Sequence, residues 1–118
     1  MLTVKKRLLD PDGATLSLEG WLVLGGDCQQ VEWQLEDLLR ENKLKVVLDL
    51  TGLTYIDSAG VGELMSCFTS MRNQGGHLKL MNLQKNVHNL LQITKLYTIF
   101  EIAEDEATAI KSFQLSGV

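Results

Sequence analysis

The residues best able to do chemistry lie in one run, Asp49-Leu50-Thr51-Gly52-Leu53-Thr54-Tyr55-Ile56-Asp57-Ser58-Ala59-Gly60-Val61-Gly62. Asp57 or Ser58 falls at the start of a helix, where the first backbone N–H groups lack intrahelical partners. Ala59, Gly60 and Gly62 keep that first turn bare of bulk. The Ser58 hydroxyl therefore stands near free N–H groups on an exposed junction that another protein can approach closely. Several chemistries compete for it. A serine can simply cap the helix, contributing about 1 kcal/mol. A nucleophile elbow requires Gly-x-Ser-x-Gly, but Ile56 stands where the first glycine belongs and neither His77 nor His88 is placed as a base. A Walker-type phosphate loop lacks its Lys-Ser/Thr pair. A dinucleotide fingerprint lacks three glycines in a tighter pattern. An acyl phosphate on Asp57, with Asp49 helping to hold a metal ion, stays open.

Positioning this run requires a strand before it and a helix after it. Residues 45–50, Lys-Val-Val-Leu-Asp-Leu, are almost continuously apolar, the pattern of a strand covered on both faces. A loop follows, and 58–73 carries Val61, Leu64, Met65, Phe68 and Met71 at helical spacing before Gly75-Gly76 ends it with a positive-φ cap. Upstream, 3–9 and 14–19 form a hairpin across Asp10-Pro11-Asp12-Gly13. Asp27 caps a helix over 27–41 with Cys28, Val31, Leu35, Leu38 and Leu39 on one side; Trp33 projects opposite, either tucked under a neighbour or offered to a partner. Downstream, 77–81 is a strand, 84–93 a short helix turning Val87, Leu90 and Leu91 inward, and 98–102 a last strand. Glu104-Asp105-Glu106 opens a terminal helix that buries Ala107, Ile110 and Phe113.

The order β-β-α-β-α-β-α-β-α predicts an α/β fold: one four- to five-stranded mixed sheet with about four helices against it. Right-handed crossovers gather the loops after the parallel strands along one edge, where open α/β sheets place their sites. The loop after Leu50 is that place.

Composition narrows the function classes. The chain has 118 residues, enough for one domain, with 45% hydrophobic and 22% charged residues and so the balance of a folded rather than a disordered chain. A net charge of −4 argues against binding nucleic acid through phosphate neutralisation. The basic cluster Lys5-Lys6-Arg7 fits a solvated edge strand that resists aggregation. Cys28 and Cys67 form no CxxC, and the two histidines are isolated, so a reducing compartment and no metal are expected. No stretch has the make-up of a signal peptide or a membrane span, which points to the cytoplasm.

The run from Asp49 to Gly62 resembles the signature of the anti-sigma-factor antagonist family, the STAS domains of bacteria. Leu18-Glu19-Gly20-Trp21-Leu22 is similar to the segment ahead of that family's first helix, and Gly75-Gly76-His77-Leu78-Lys79-Leu80 to its glycine turn and next strand; Val87 through Phe100 is similar to its short helix and final strand. The resemblance covers roughly the whole chain, 1–118, as a single STAS domain. It implies a binding protein rather than an enzyme. Such a protein binds an anti-sigma factor that is itself a serine kinase of the histidine-kinase-like ATPase fold, and binding frees a sigma factor for transcription. The kinase phosphorylates the serine matching Ser58, the complex separates, and a metal-dependent serine phosphatase restores the antagonist. The chain needs no cofactor; ATP and magnesium belong to the partner. The docking face implied around Ser58 comprises Thr54, Tyr55, Ile56, Asp57, Ala59, Gly60 and Glu63, with Leu22 to Gly26 beside it, although Tyr55 and Ile56 also suit buried anchors. A ligand-sensing STAS module and an aspartyl-phosphate relay on Asp57 are the alternatives. Two positions depart from the family: Val23 replaces a frequent aspartate, and Lys95 replaces a common glycine. A positive φ is costlier for lysine, so a different local geometry is expected there.

Overall fold

A computed structural model describes residues 2–9, 11–95, 98, 100–103, 107–109 and 111. Strands β1 (Leu2–Leu9) and β2 (Gly13–Leu22) form the hairpin, paired antiparallel from Leu2 opposite Gly20 to Leu9 opposite Gly13. Then follow α1 (Gly26–Arg40), β3 (Lys45–Ile56), α2 (Ser58–Asn73), β4 (His77–Met81), α3 (Lys85–Ile93) and β5 (Glu101–Ala103). Residues 107–109 and 111 are helical. The five strands lie in sequence order, with β2 to β5 parallel and β1 antiparallel at the edge. On that edge strand Lys5 pairs with Glu19 at 3.0 Å, and its basic run is solvated as expected.

The alternation of the strands divides the molecule. Leu16, Leu18, Val46, Leu48, Leu50, Leu78 and Leu80 join one core with Val31, Leu35 and Leu38 of α1, Leu64 and Met71 of α2, and Val87 and Leu91 of α3. This is the outcome of repeated right-handed crossovers moving one way across the sheet: all three helices share a face. Val47 and Met81 point to the other face, where Ala109 covers them. Phe68 and Phe100 meet edge-to-face, ring centres 5.5 Å apart.

Several expectations are corrected. No loop follows Leu50; β3 runs on to Ile56, paired with β2 to its end. Register shifts between Ser17 and Glu19 and between Gly20 and Trp21 spoil the two-residue alternation that marks a strand in sequence. Asp27 lies inside the first turn of α1, where it meets the helix dipole, and Gly25 takes the cap position without a side-chain bond. Residue 98 is not in the last strand: Thr98 closes a turn, its Oγ1 donating to the Lys95 carbonyl at 2.8 Å. In the terminal helix Ala107 is exposed and Ala109 is buried instead; Ile110 and Phe113, and the residues 104–106 expected to open that helix, lie outside the described residues. Lys95 adopts φ +61 despite its side chain, so the glycine-like geometry is kept. Trp33 is 58% exposed on the open side of α1.

Candidate protein-docking site

The parallel strands β2 and β3 end side by side, Leu22 opposite Ile56, and β3 enters α2 through a single residue, Asp57. That residue is extended, at φ −102 and ψ −176. Its Oδ1 accepts the N–H of Gly60 at 2.8 Å, and its Oδ2 accepts the N–H of Leu24 at 3.1 Å. Its own N–H donates to the Leu22 carbonyl at 3.3 Å. These backbone donors, Gly60 first, favour the charged carboxylate and hold Asp57 below the ordinary aspartate range. Asp57 is thus the cap of α2.

This leaves Ser58 without capping duty. It is exposed at the first position of α2, and its hydroxyl bonds to no other described residue. Gly60 explains the close fit beneath it. A Cβ there would stand 2.3 Å from the Leu22 carbonyl oxygen and 2.6 Å from Ile56 Cγ1, so only glycine lets β2 end against α2. Gly60 and Ile56 are buried and pack at the junction, Ile56 as one of the two anchors that the sequence also allowed. Thr54 is exposed, its Oγ1 donating to the Gly20 carbonyl at 3.2 Å. Tyr55 is half exposed and meets the edge of Trp21 with ring centres 5.9 Å apart. Ala59 and Glu63 are half-buried.

Other chemistries find little support in this geometry. Burial pushes the Glu63 carboxyl up, partly opposed by the Cys67 thiol that donates to it at 3.5 Å. Burial pushes the Cys67 thiol well up, and burial with nearby Glu63, Asp57 and Asp27 raises Cys28, so both thiols stay protonated and poorly nucleophilic at neutral pH. Among the described residues, no three of His, Cys, Asp and Glu are grouped to hold a metal ion. Asp49 accepts from the Thr51 N–H at 3.0 Å and lines a cleft of about 510 Å³ with Lys5, Arg7 and Ser17, whereas Asp57 sits at the cap of α2.

A family model for the STAS domain matches residues 23–109. The chain belongs to the STAS domain family. This STAS domain is 28% identical over 103 residues to BtrV of Bordetella bronchiseptica, provisionally named an anti-sigma factor antagonist, covering 87% of this chain and 89% of BtrV. It is 35% identical over 65 residues to the anti-sigma-B factor antagonist of Bacillus subtilis, covering 55% of this chain and 60% of that protein. Its fold matches that of SpoIIAA, a Bacillus cell fate determinant solved in its phosphorylated form, with a TM-score of 0.72 at 15% identity over 93% of this chain and 99% of SpoIIAA. At that identity the likeness is one of fold.

Reading the sequence alone missed two features of this site. Leu24 lies 33 residues from Asp57, and no local pattern announces their bond. Trp21 as the partner of Tyr55 follows only once β2 and β3 are known to pair to their ends.

Proposed function

We propose that this STAS domain is an anti-sigma factor antagonist switched by phosphorylation of Ser58. The observation that carries the reading is the division of labour at the start of α2: Asp57 performs the cap, and Ser58 presents an unengaged hydroxyl to solvent. A serine needed only for the helix would itself bond the free N–H groups. The relatives named as anti-sigma factor antagonists supply the partner class. In this reading the docked partner is an anti-sigma factor that is also a serine kinase of the histidine-kinase-like ATPase fold, and a serine phosphatase reverses the modification. The docking face is Thr54, Tyr55, Asp57, Ser58, Ala59 and Glu63, and the setting is the cytoplasm. No described helix is long and apolar enough to cross a membrane.

The switch follows from electrostatics. Phosphate takes the net charge from −4 to about −6. On the free chain the α2 N–H groups face the new anion, so no global unfolding is required. At an interface a doubly charged group must lose its water, and any acidic residue across the contact repels it. Like charges brought together cost several kcal/mol, and each 1.4 kcal/mol is about tenfold in affinity.

The test is to incubate the chain with ATP and the kinases encoded beside its gene, map phosphate by mass spectrometry, and measure binding. Label is expected on Ser58. Ser58→Ala should bind constitutively, and Ser58→Glu should bind about a hundredfold more weakly. Equal affinity of Ser58→Glu and the parent chain, or label only on Asp57, would sink the reading.

A further inference from the structure

Asp57 does more than cap a helix: its second oxygen reaches a different element. Oδ1 holds Gly60 in α2, while Oδ2 holds the N–H of Leu24 in the turn between β2 and α1. That turn has few other anchors. A Cβ on Gly25 or Gly26 would meet nothing within 4 Å, so the turn stands clear of the body. The Cys28 thiol donates to the Val23 carbonyl at 3.3 Å, a weak bond by its chemistry. At the tip, Leu24 is 78% exposed, and on the adjoining strand ends Trp21 and Tyr55 are each about half exposed and packed on one another. An apolar prong is thus tied through one carboxylate to the residue that precedes Ser58.

We propose that Asp57 couples Ser58 to the β2–α1 turn: with Ser58 free it holds Leu24 in place to dock the partner, and phosphate on Ser58 releases the turn. This deepens the function proposed above and rests on it. The occupant is the same kinase, through an apolar pocket that receives Leu24, because the turn is continuous with the Ser58 surface. Release has a simple cause. A phosphate of about −2 on the neighbouring residue repels the Asp57 carboxylate and weakens its hold on its donors. The bond from Leu24, outside the helix and held by that carboxylate alone, is the one given up.

Asp57→Asn separates the two roles. Asparagine caps as well as aspartate, but its amide has one acceptor oxygen where the carboxylate has two. It therefore keeps Gly60 and turns an NH2 group toward the Leu24 N–H, which cannot be accepted. In Asp57→Asn the melting temperature should hold, Leu24 amide hydrogen exchange followed by NMR should quicken about tenfold or more, and Gly60 exchange should not change. The same quickening is expected in the parent chain after phosphorylation. Affinity for the kinase that labels Ser58 should fall about tenfold in Asp57→Asn and equally in Leu24→Ala, with no further fall in the double variant. Unchanged Leu24 exchange in Asp57→Asn or in the phosphorylated chain overturns the coupling, as do losses that simply add. Absence of label on Ser58 instead overturns the functional reading, while Leu24 exchange in Asp57→Asn still decides the coupling.

Discussion

At the scale of single residues, the site is defined by what is left out as much as by what is present. Gly60 and Gly62 are two positions apart in the same helix, yet they answer to different constraints. Glycine inside a helix ordinarily costs about 1 kcal/mol relative to alanine. Gly62 has nothing within 4 Å of a Cβ, so Gly62→Ala should raise stability by about 0.5–1 kcal/mol. Gly60→Ala would drive a methyl group to 2.3 Å from a backbone oxygen, and should lower stability by about 1–3 kcal/mol as the junction shifts. Urea denaturation of the two variants checks the opposite signs. Both glycines read alike in the sequence, as small residues at a helix start; only the approach of Leu22 separates them.

At the scale of elements, the ends of helices and strands carry most of the information. Helix α2 begins where the sequence places it, because Asp57-Ser58 followed by small residues and a 3.6-residue apolar period is a local signal. Strand β3 is six residues longer than its apolar run suggests: Thr51 to Ile56 are held by pairing with β2, not by a pattern of their own. Helix α3 ends with Lys95 at φ +61, a conformation that glycine adopts freely. The left-handed region costs an L-residue about 1–2 kcal/mol, while glycine's extra unfolded-state freedom returns about 0.4–1 kcal/mol. Lys95→Gly is therefore expected to stabilise the chain by about 0.5–1 kcal/mol, measured by the denaturation midpoint at unchanged slope. Overlap of its curve with that of the parent would show that the turn bears no strain.

At the scale of the whole molecule, a phosphate on Ser58 sits at the rim of the sheet, outside the core that joins the strands to α1, α2 and α3. Global stability of the phosphorylated chain should stay within about 1 kcal/mol of the parent, since the helix terminus faces the anion. Calorimetry on both forms tests this; collapse of the melting transition would mean that the switch works by unfolding instead. The sequence by itself determined the α/β class, the order of elements, and the apolar faces of α1, α2 and α3. Those are consequences of short-range rules: periodicity, turn chemistry and the needs of a helix start. Tertiary structure decided that Asp57 rather than Ser58 serves as the cap, that Gly60 is a point of contact, that Tyr55 is shared between Trp21 and solvent, and that Leu24 is tied to Asp57. All but the first depend on β2 and β3 ending together, which brings groups more than thirty residues apart into contact. A carboxylate has two oxygens, and the second one bonds to whatever donor the fold delivers.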